Sequence, residues 1–320
     1  MFQLLKFYAR LAIKIYCRKI VINKPHFLKA KGPLLFAANH PNSFLDGVIL
    51  TTLLEDNLYS LARGDAFKSK KFRGLLKWLH QLPVYRTSEG VENLQHNYAT
   101  FEVCHEVFRK NGIVLIFSEG RCVNEWHLRP LKKGTARLAI TAWDKGIDLT
   151  VVPVGFNYSP FRNFGKNVFI NFGEPIKQNS LSTDETEGKR LLSFNTNLRN
   201  QLEDLVFEID PGDRNRLKEK LYVHQPLAKK VLLAIPALIG LLIHAPLYFS
   251  VKAIAEKYFD DDHFDGVVAC LQMLLYILYL PVLCVIAGVI FGWIYGVLMI
   301  FLAPFCAWAC VQVKDQLSTD

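Results

Sequence analysis

The last third of the chain constrains its fold most. From Val231 to Val313 the residues are mostly Leu, Ile, Val, Ala, Phe and Tyr, whereas residues 1–230 have the mixed composition of a globular protein. Three apolar spans stand out, near 231–251, 267–288 and 290–312. Each is about as long as the ~20 residues a helix needs to cross a bilayer. Pro236, Pro246, Pro281 and Pro304 fall inside them and suit kinks or re-entrant shapes. Almost no polar sequence separates the last two spans, so a tight hairpin is expected near Gly288 to Gly292. The chain therefore divides into a globular part and a helical membrane region at 231–313.

The formal net charge of +9 calls for an anionic partner. With so apolar a C-terminal third, that partner is expected to be membrane lipid and not nucleic acid. The seven cysteines show no CxxC spacing and no accompanying His cluster, which points to reduced thiols and to no metal site. Arg214, Arg216, Lys218, Lys220, Lys229 and Lys230 precede the first span, and the stretch KAIAEKYFDDDHFDG that follows it is net acidic. By the positive-inside tendency this predicts that the large N-terminal domain faces the cytoplasm.

In the segment FQLLKFYARLAIKIYCRKI, Lys6, Arg10, Lys14 and Arg18 recur every four residues, and Leu4, Phe7, Leu11 and Ile15 run along another face. The expectation for residues 1–20 is an amphipathic helix at the membrane interface, its basic stripe drawn to anionic headgroups. The alternative is a helix docked on its own domain. Charges interrupt the apolar stretch, so it does not resemble a signal peptide.

Residues 21–209 alternate between strand and helix patterns. The runs PLLFAANH, LPVYR, IVLIFSEG and LTVVPVGFNY predict strands, and the stretches from Asn93 to Arg109 and Lys133 to Lys145 predict helices. This alternation implies an α/β domain with a mainly parallel sheet flanked by helices. A last helix is expected from about Arg190 to Ile209, followed by a charged linker at 210–230. In such sheets chemistry gathers where strands end.

At the first strand end stands Asn39-His40-Pro41-Asn42-Ser43-Phe44-Leu45-Asp46. An imidazole held by a carboxylate has its tautomer fixed and one nitrogen left to take a proton. At the strand end after IVLIF comes Ser118-Glu119-Gly120-Arg121, where a glycine turn lets backbone donors approach an anion and Arg121 can grip a phosphate. Lys132 and Lys133 add positive charge before Gly134. Arg86 ends the strand LPVYR, and Pro153 interrupts the valine-rich strand.

In this order the four blocks resemble the lysophospholipid and glycerol-phosphate acyltransferase (PlsC-like) family. The resemblance covers about residues 1–205. It rests on Asn39, His40 and Asp46, then Arg86, then Phe117-Ser118-Glu119-Gly120, then Pro153. The His-to-Asp spacing is one residue longer than the family's usual one, and the family's longer-spaced members, including some fungal glycerol-phosphate acyltransferases, use a similar pattern. Ser118 also stands where the family usually has Pro.

The resemblance implies that His40 is a general base oriented by Asp46. Arg86, Glu119, Gly120 and Arg121 would position a glycerol-phosphate acceptor, and Pro153 would help shape the acyl-donor region. Acyl-CoA or acyl carrier protein would serve as co-substrate, with no cofactor and no metal. Two rivals stand beside this: a non-catalytic membrane lipid-binding or scaffolding module, and a small transporter in the apolar tail. His244, the one ionisable residue deep in a span, is expected to make a structural hydrogen bond.

Overall fold

The computed structural model describes residues 1–85, 96–180, 186–259 and 261–317. Seven strands form one sheet: β1 (Lys19–Ile22), β2 (Leu34–Ala38), β3 (Leu58–Arg63), β4 (Gln81–Val84), β5 (Ile113–Phe117), β6 (Thr150–Ser159) and β7 (Asn167–Phe172). Their order is β1-β7-β6-β2-β5-β3-β4. Every pairing is parallel except that of β6 with β7. The central strands β2 and β5 are covered on both faces, which is why LLFAA and IVLIF are unbroken apolar runs.

Side chains alternate across β2. Leu35 and Ala37 face one core with Phe108, Trp143, Phe194 and Leu198, from α4 (His96–Arg109), α5 (Lys133–Asp144) and α6 (Glu187–Leu205). Leu34, Phe36 and Ala38 face a second core with Ile13, Leu45, Ile49 and Ala269. These come from α1 (Phe2–Tyr16), α2 (Ser43–Leu53) and α9 (Phe264–Phe291). The sheet also contains β1, β3 and β7, which the sequence reading left unassigned. α3 (Lys70–Trp78) leads into β4. Within the stretch expected to be linker lies α7 (Arg214–Leu221), capped by the Asp213 side chain, with Leu217 and Leu221 buried against the domain.

α1 departs from expectation at Lys6 and Arg10. Two of its three cations turn inward, while Lys14 is exposed: Lys6 Nζ donates to the carbonyls of Glu55 and Asp56, and Arg10 Nε donates to that of Thr52, where α2 ends. Arg18 donates to the carbonyls of Val311 and Lys314. Cations suit these positions, because the last carbonyls of a helix lack partners and carry partial negative charge. Leu4, Phe7 and Leu11 are exposed beside Gln3 and Lys14, so the outward face of α1 is largely apolar.

Three C-terminal helices are long and apolar enough to cross a membrane: α8 (Leu227–Tyr258), α9, and α10 (Trp293–Val313). The expected hairpin joins α9 to α10 at Gly292, whose φ of +105° favours glycine. α8 crosses α10 closely at Gly240, where an added Cβ would come within 2.1 Å of the Cys306 carbonyl oxygen. His244 hydrogen-bonds to Gly240 O and Tyr276 Oη, as expected of a structural residue.

Both ends of this region are tied to the globular domain. Just before α8, Val223 N–H and Asn167 Nδ2 both donate to Gln316 Oε1. Just after it, Asp262 accepts from Asn124 N–H, and Asp265 pairs with Lys166. The acidic stretch after the first span therefore lies against the globular domain.

Candidate active site

His40 stands just beyond β2, and its neighbour fixes the strand end. The buried Asn39 side chain donates from Nδ2 to Phe156 O (3.0 Å) and accepts from Phe156 N–H at Oδ1 (2.7 Å), locking the end of β2 to β6. The His40 ring stacks on Phe117, the last residue of β5, with centroids 3.7 Å apart. Asp46 lies in the first turn of α2, where a carboxylate complements the helix N-terminus.

The two residues brought together by the sequence reading meet directly. His40 Nδ1 lies 2.9 Å from Asp46 Oδ2. The same oxygen accepts from Asn42 N–H (3.0 Å), and Oδ1 accepts from the Tyr158 hydroxyl (2.6 Å). Burial pushes the Tyr158 phenol well above its ordinary pKa, with Asp46 reinforcing the shift, so the hydroxyl keeps its hydrogen and donates. Asp46 is fully buried and the His40 side chain is 18% exposed. A carboxylate only accepts, so Nδ1 carries the ring hydrogen and Nε2 holds a lone pair for an incoming proton. Tyr158 escaped the sequence reading because a tyrosine at the end of an apolar strand is indistinguishable from core.

Glu119 has a different setting from the substrate-facing one expected. It is 5% exposed, and both its oxygens are occupied by main-chain donors: Oε2 accepts from His40 N–H and Oε1 from Arg129 N–H, each at 2.8 Å. It braces the backbone of His40 against the 121–132 segment. Burial raises its pKa, and the two N–H donors oppose that shift. Gly120 has φ +68°, in the left-handed region, and the Lys132 stem packs over it, 3.1 Å from where a Cβ would sit.

Arg121 follows Gly120 with its side chain 66% exposed, 3.9 Å from Asp262. Lys132 and Lys133 are exposed at the start of α5, so the turn at Gly120 presents cations to solvent. Pro153 is buried inside the sheet, in register with Ala37 and one pair short of the strand end. Its carbonyl accepts from Gly173 N–H on the β7 side, where the β6–β7 ladder ends at Val154, so the N–H that proline lacks falls beyond that ladder. Arg86 lies outside the described residues.

Residues 19–157 match the family model described as Acyltransferase. Over this stretch the chain resembles the acyltransferase family. The matched stretch includes His40, Asp46, Glu119, Gly120, Arg121 and Pro153 and stops one residue before Tyr158. The chain is also similar to "Glycerol-3-phosphate O-acyltransferase 1" of Saccharomyces cerevisiae, 38% identical over 80 residues, which is 23% of this chain. Those residues are 10% of the yeast protein, so the chain matches about a tenth of that relative's length. Among solved structures, the 1-acyl-sn-glycerophosphate (LPA) acyltransferase PlsC from Thermotoga maritima aligns with a TM-score of 0.44 at 12% identity. The alignment covers 70% of this chain and 81% of that one.

Proposed function

We propose that the acyltransferase domain moves a fatty acyl group from a thioester, acyl-CoA or acyl carrier protein, to a hydroxyl of a glycerophosphate or lysophospholipid. Glycerol 3-phosphate and lysophosphatidate are the leading acceptors, which places the reaction in phospholipid biosynthesis. One observation carries this reading: Tyr158, Asp46 and His40 form a hydrogen-bonded chain that leaves Nε2 as the proton-accepting nitrogen.

In the reaction, Nε2 takes the proton of the acceptor hydroxyl as its oxygen attacks the thioester carbonyl carbon. The tetrahedral oxyanion collapses, the C–S bond breaks, and the thiolate leaves with the proton from the imidazolium. Asp46 stabilises the imidazolium formed between these steps. The proton passes only between substrates and His40, so this scheme uses neither metal nor cofactor. Arg121, Lys132 and, from the family resemblance, Arg86 supply charge for the acceptor phosphate. Gly120 lets backbone approach it, and Pro153 shapes the sheet toward the donor side. Free thiols at all seven cysteines suit a reducing compartment, and the proposal keeps the domain on the cytoplasmic face of a membrane.

The test supplies purified protein in detergent with labelled acyl-CoA or acyl carrier protein and compares glycerol 3-phosphate, lysophosphatidate and other lysophospholipids. Acylated product with one of them supports the proposal and names the acceptor. Lysolipid binding with no product under any combination would favour a non-catalytic binding module.

A further inference from the structure

Ser43, the first residue of α2, has φ +48° although it carries a side chain. Such a backbone persists only where its surroundings over-determine it. Its N–H donates to Cys122 Sγ (3.0 Å), and its Oγ lies 2.7 Å from His263 Nδ1, immediately before α9. One residue earlier, Asn42 donates its N–H to Asp46 and its Nδ2 to Asp265 Oδ2 (3.1 Å), on the first turn of α9.

Asp265 is itself held in place. Its carboxylate is buried, ion-paired with the buried Lys166, and accepts from the Tyr16 hydroxyl at Oδ1 (2.6 Å). A Cβ at Gly266 would come within 3.3 Å of Phe44 N, so α9 seats directly on the turn between His40 and Asp46. The Lys166 ammonium also stands 5.7 Å from the ring centroid of Tyr158, the other residue that holds Asp46.

We propose that Asp265 is a positioning residue for the His40–Asp46 pair. Through Asn42 it fixes the turn that brings Asp46 against the imidazole, which makes the apolar helical region a working part of the site. The kinetic consequence rests on the acyl-transfer reading; the geometric one does not.

The experiment uses the full chain in detergent with the variants N42A, D265N and the double variant. It reads kcat, both KM values, and amide hydrogen exchange over residues 42–46. N42A leaves Asp265 paired with Lys166 and Tyr16, so it tests the relay without unpairing a buried charge. The expected result is a kcat about tenfold or more below wild type with both KM values little changed, as for loss of an outer-shell orienting contact. Exchange over 42–46 rises, and D265N adds little in the N42A background.

Losses in kcat that multiply in the double variant would show Asp265 acting by another route and overturn the proposal. So would wild-type kcat and exchange in N42A, and that variant alone decides if D265N does not fold. Should the wild type form no acyl product, the functional reading fails separately. Exchange over 42–46 in N42A still decides this one: faster supports it, unchanged overturns it.

Discussion

Tyr158 donates its phenolic hydrogen to Asp46 Oδ1 over 2.6 Å, while His40 occupies the other oxygen of the same carboxylate. The carboxylate is thus gripped from both sides, and its orientation toward the imidazole depends on a residue 112 positions away in the chain. Removing the hydroxyl in Y158F leaves the ring's packing intact but frees Oδ1. A hydrogen bond to a charged group is worth about 1.5–3 kcal/mol, so kcat is expected to fall by about tenfold or more. Steady-state kinetics should show this with both KM values near wild type. A change confined to KM would contradict the assignment.

Arg121 is the exposed cation nearest in sequence to the glycine turn, and its 3.9 Å approach to Asp262 is a surface contact of small value. It is therefore free to trade that partner for a phosphate. R121A should raise the acceptor KM about tenfold, the equivalent of one charge-assisted hydrogen bond, and change kcat little. A rise in the donor KM instead would remove Arg121 from the acceptor side.

Glu119 gives a pH signature. Burial holds its folded pKa above the ordinary 4.5, so above pH 4.5 the native state binds more protons than the unfolded chain. The stability it contributes is full below the unfolded value and is lost as pH rises through the folded one. Thermal unfolding in detergent should show the wild type losing stability relative to E119Q as pH rises above 4.5. An identical pH slope in E119Q would place the titration elsewhere.

The two ends of α8 are anchored on one domain, through Gln316 at one end and through Asp262 and Asp265 at the other. A helix held in this way is expected to return the chain to the side it left. Cysteines placed at the exposed Lys220 and Lys257 should both react, on sealed vesicles, with the same impermeant thiol reagent from the same side. Labelling from opposite sides would contradict this arrangement.

The legible parts of the sequence were those governed by local pattern. Continuous apolar runs marked β2, β5 and β6, because strands covered on both faces leave no polar positions to blur the signal. His40 and Asp46 were legible because they sit on one turn of chain. The part played by Lys6, Arg10 and Arg18 was not, since a four-residue cation spacing looks the same whether it meets headgroups or helix carbonyls. Glu119 looked like a substrate ligand until its two oxygens met the N–H groups of His40 and Arg129. Tyr158 and Asp265 act through contacts 112 and 223 positions long, to Asp46 and Asn42, and no local pattern reports those. α7 was missed because its two buried leucines stand among charges.

The measurement that tests the central claim most directly is acyl transfer by H40A beside the wild type, with thermal unfolding and lysolipid binding recorded on the same samples. A positioned general base contributes about 10²–10⁴-fold, so turnover should fall by that much while unfolding and binding are preserved. Turnover in H40A close to wild type, with the fold intact, would contradict the role given to His40 and the mechanism built on it.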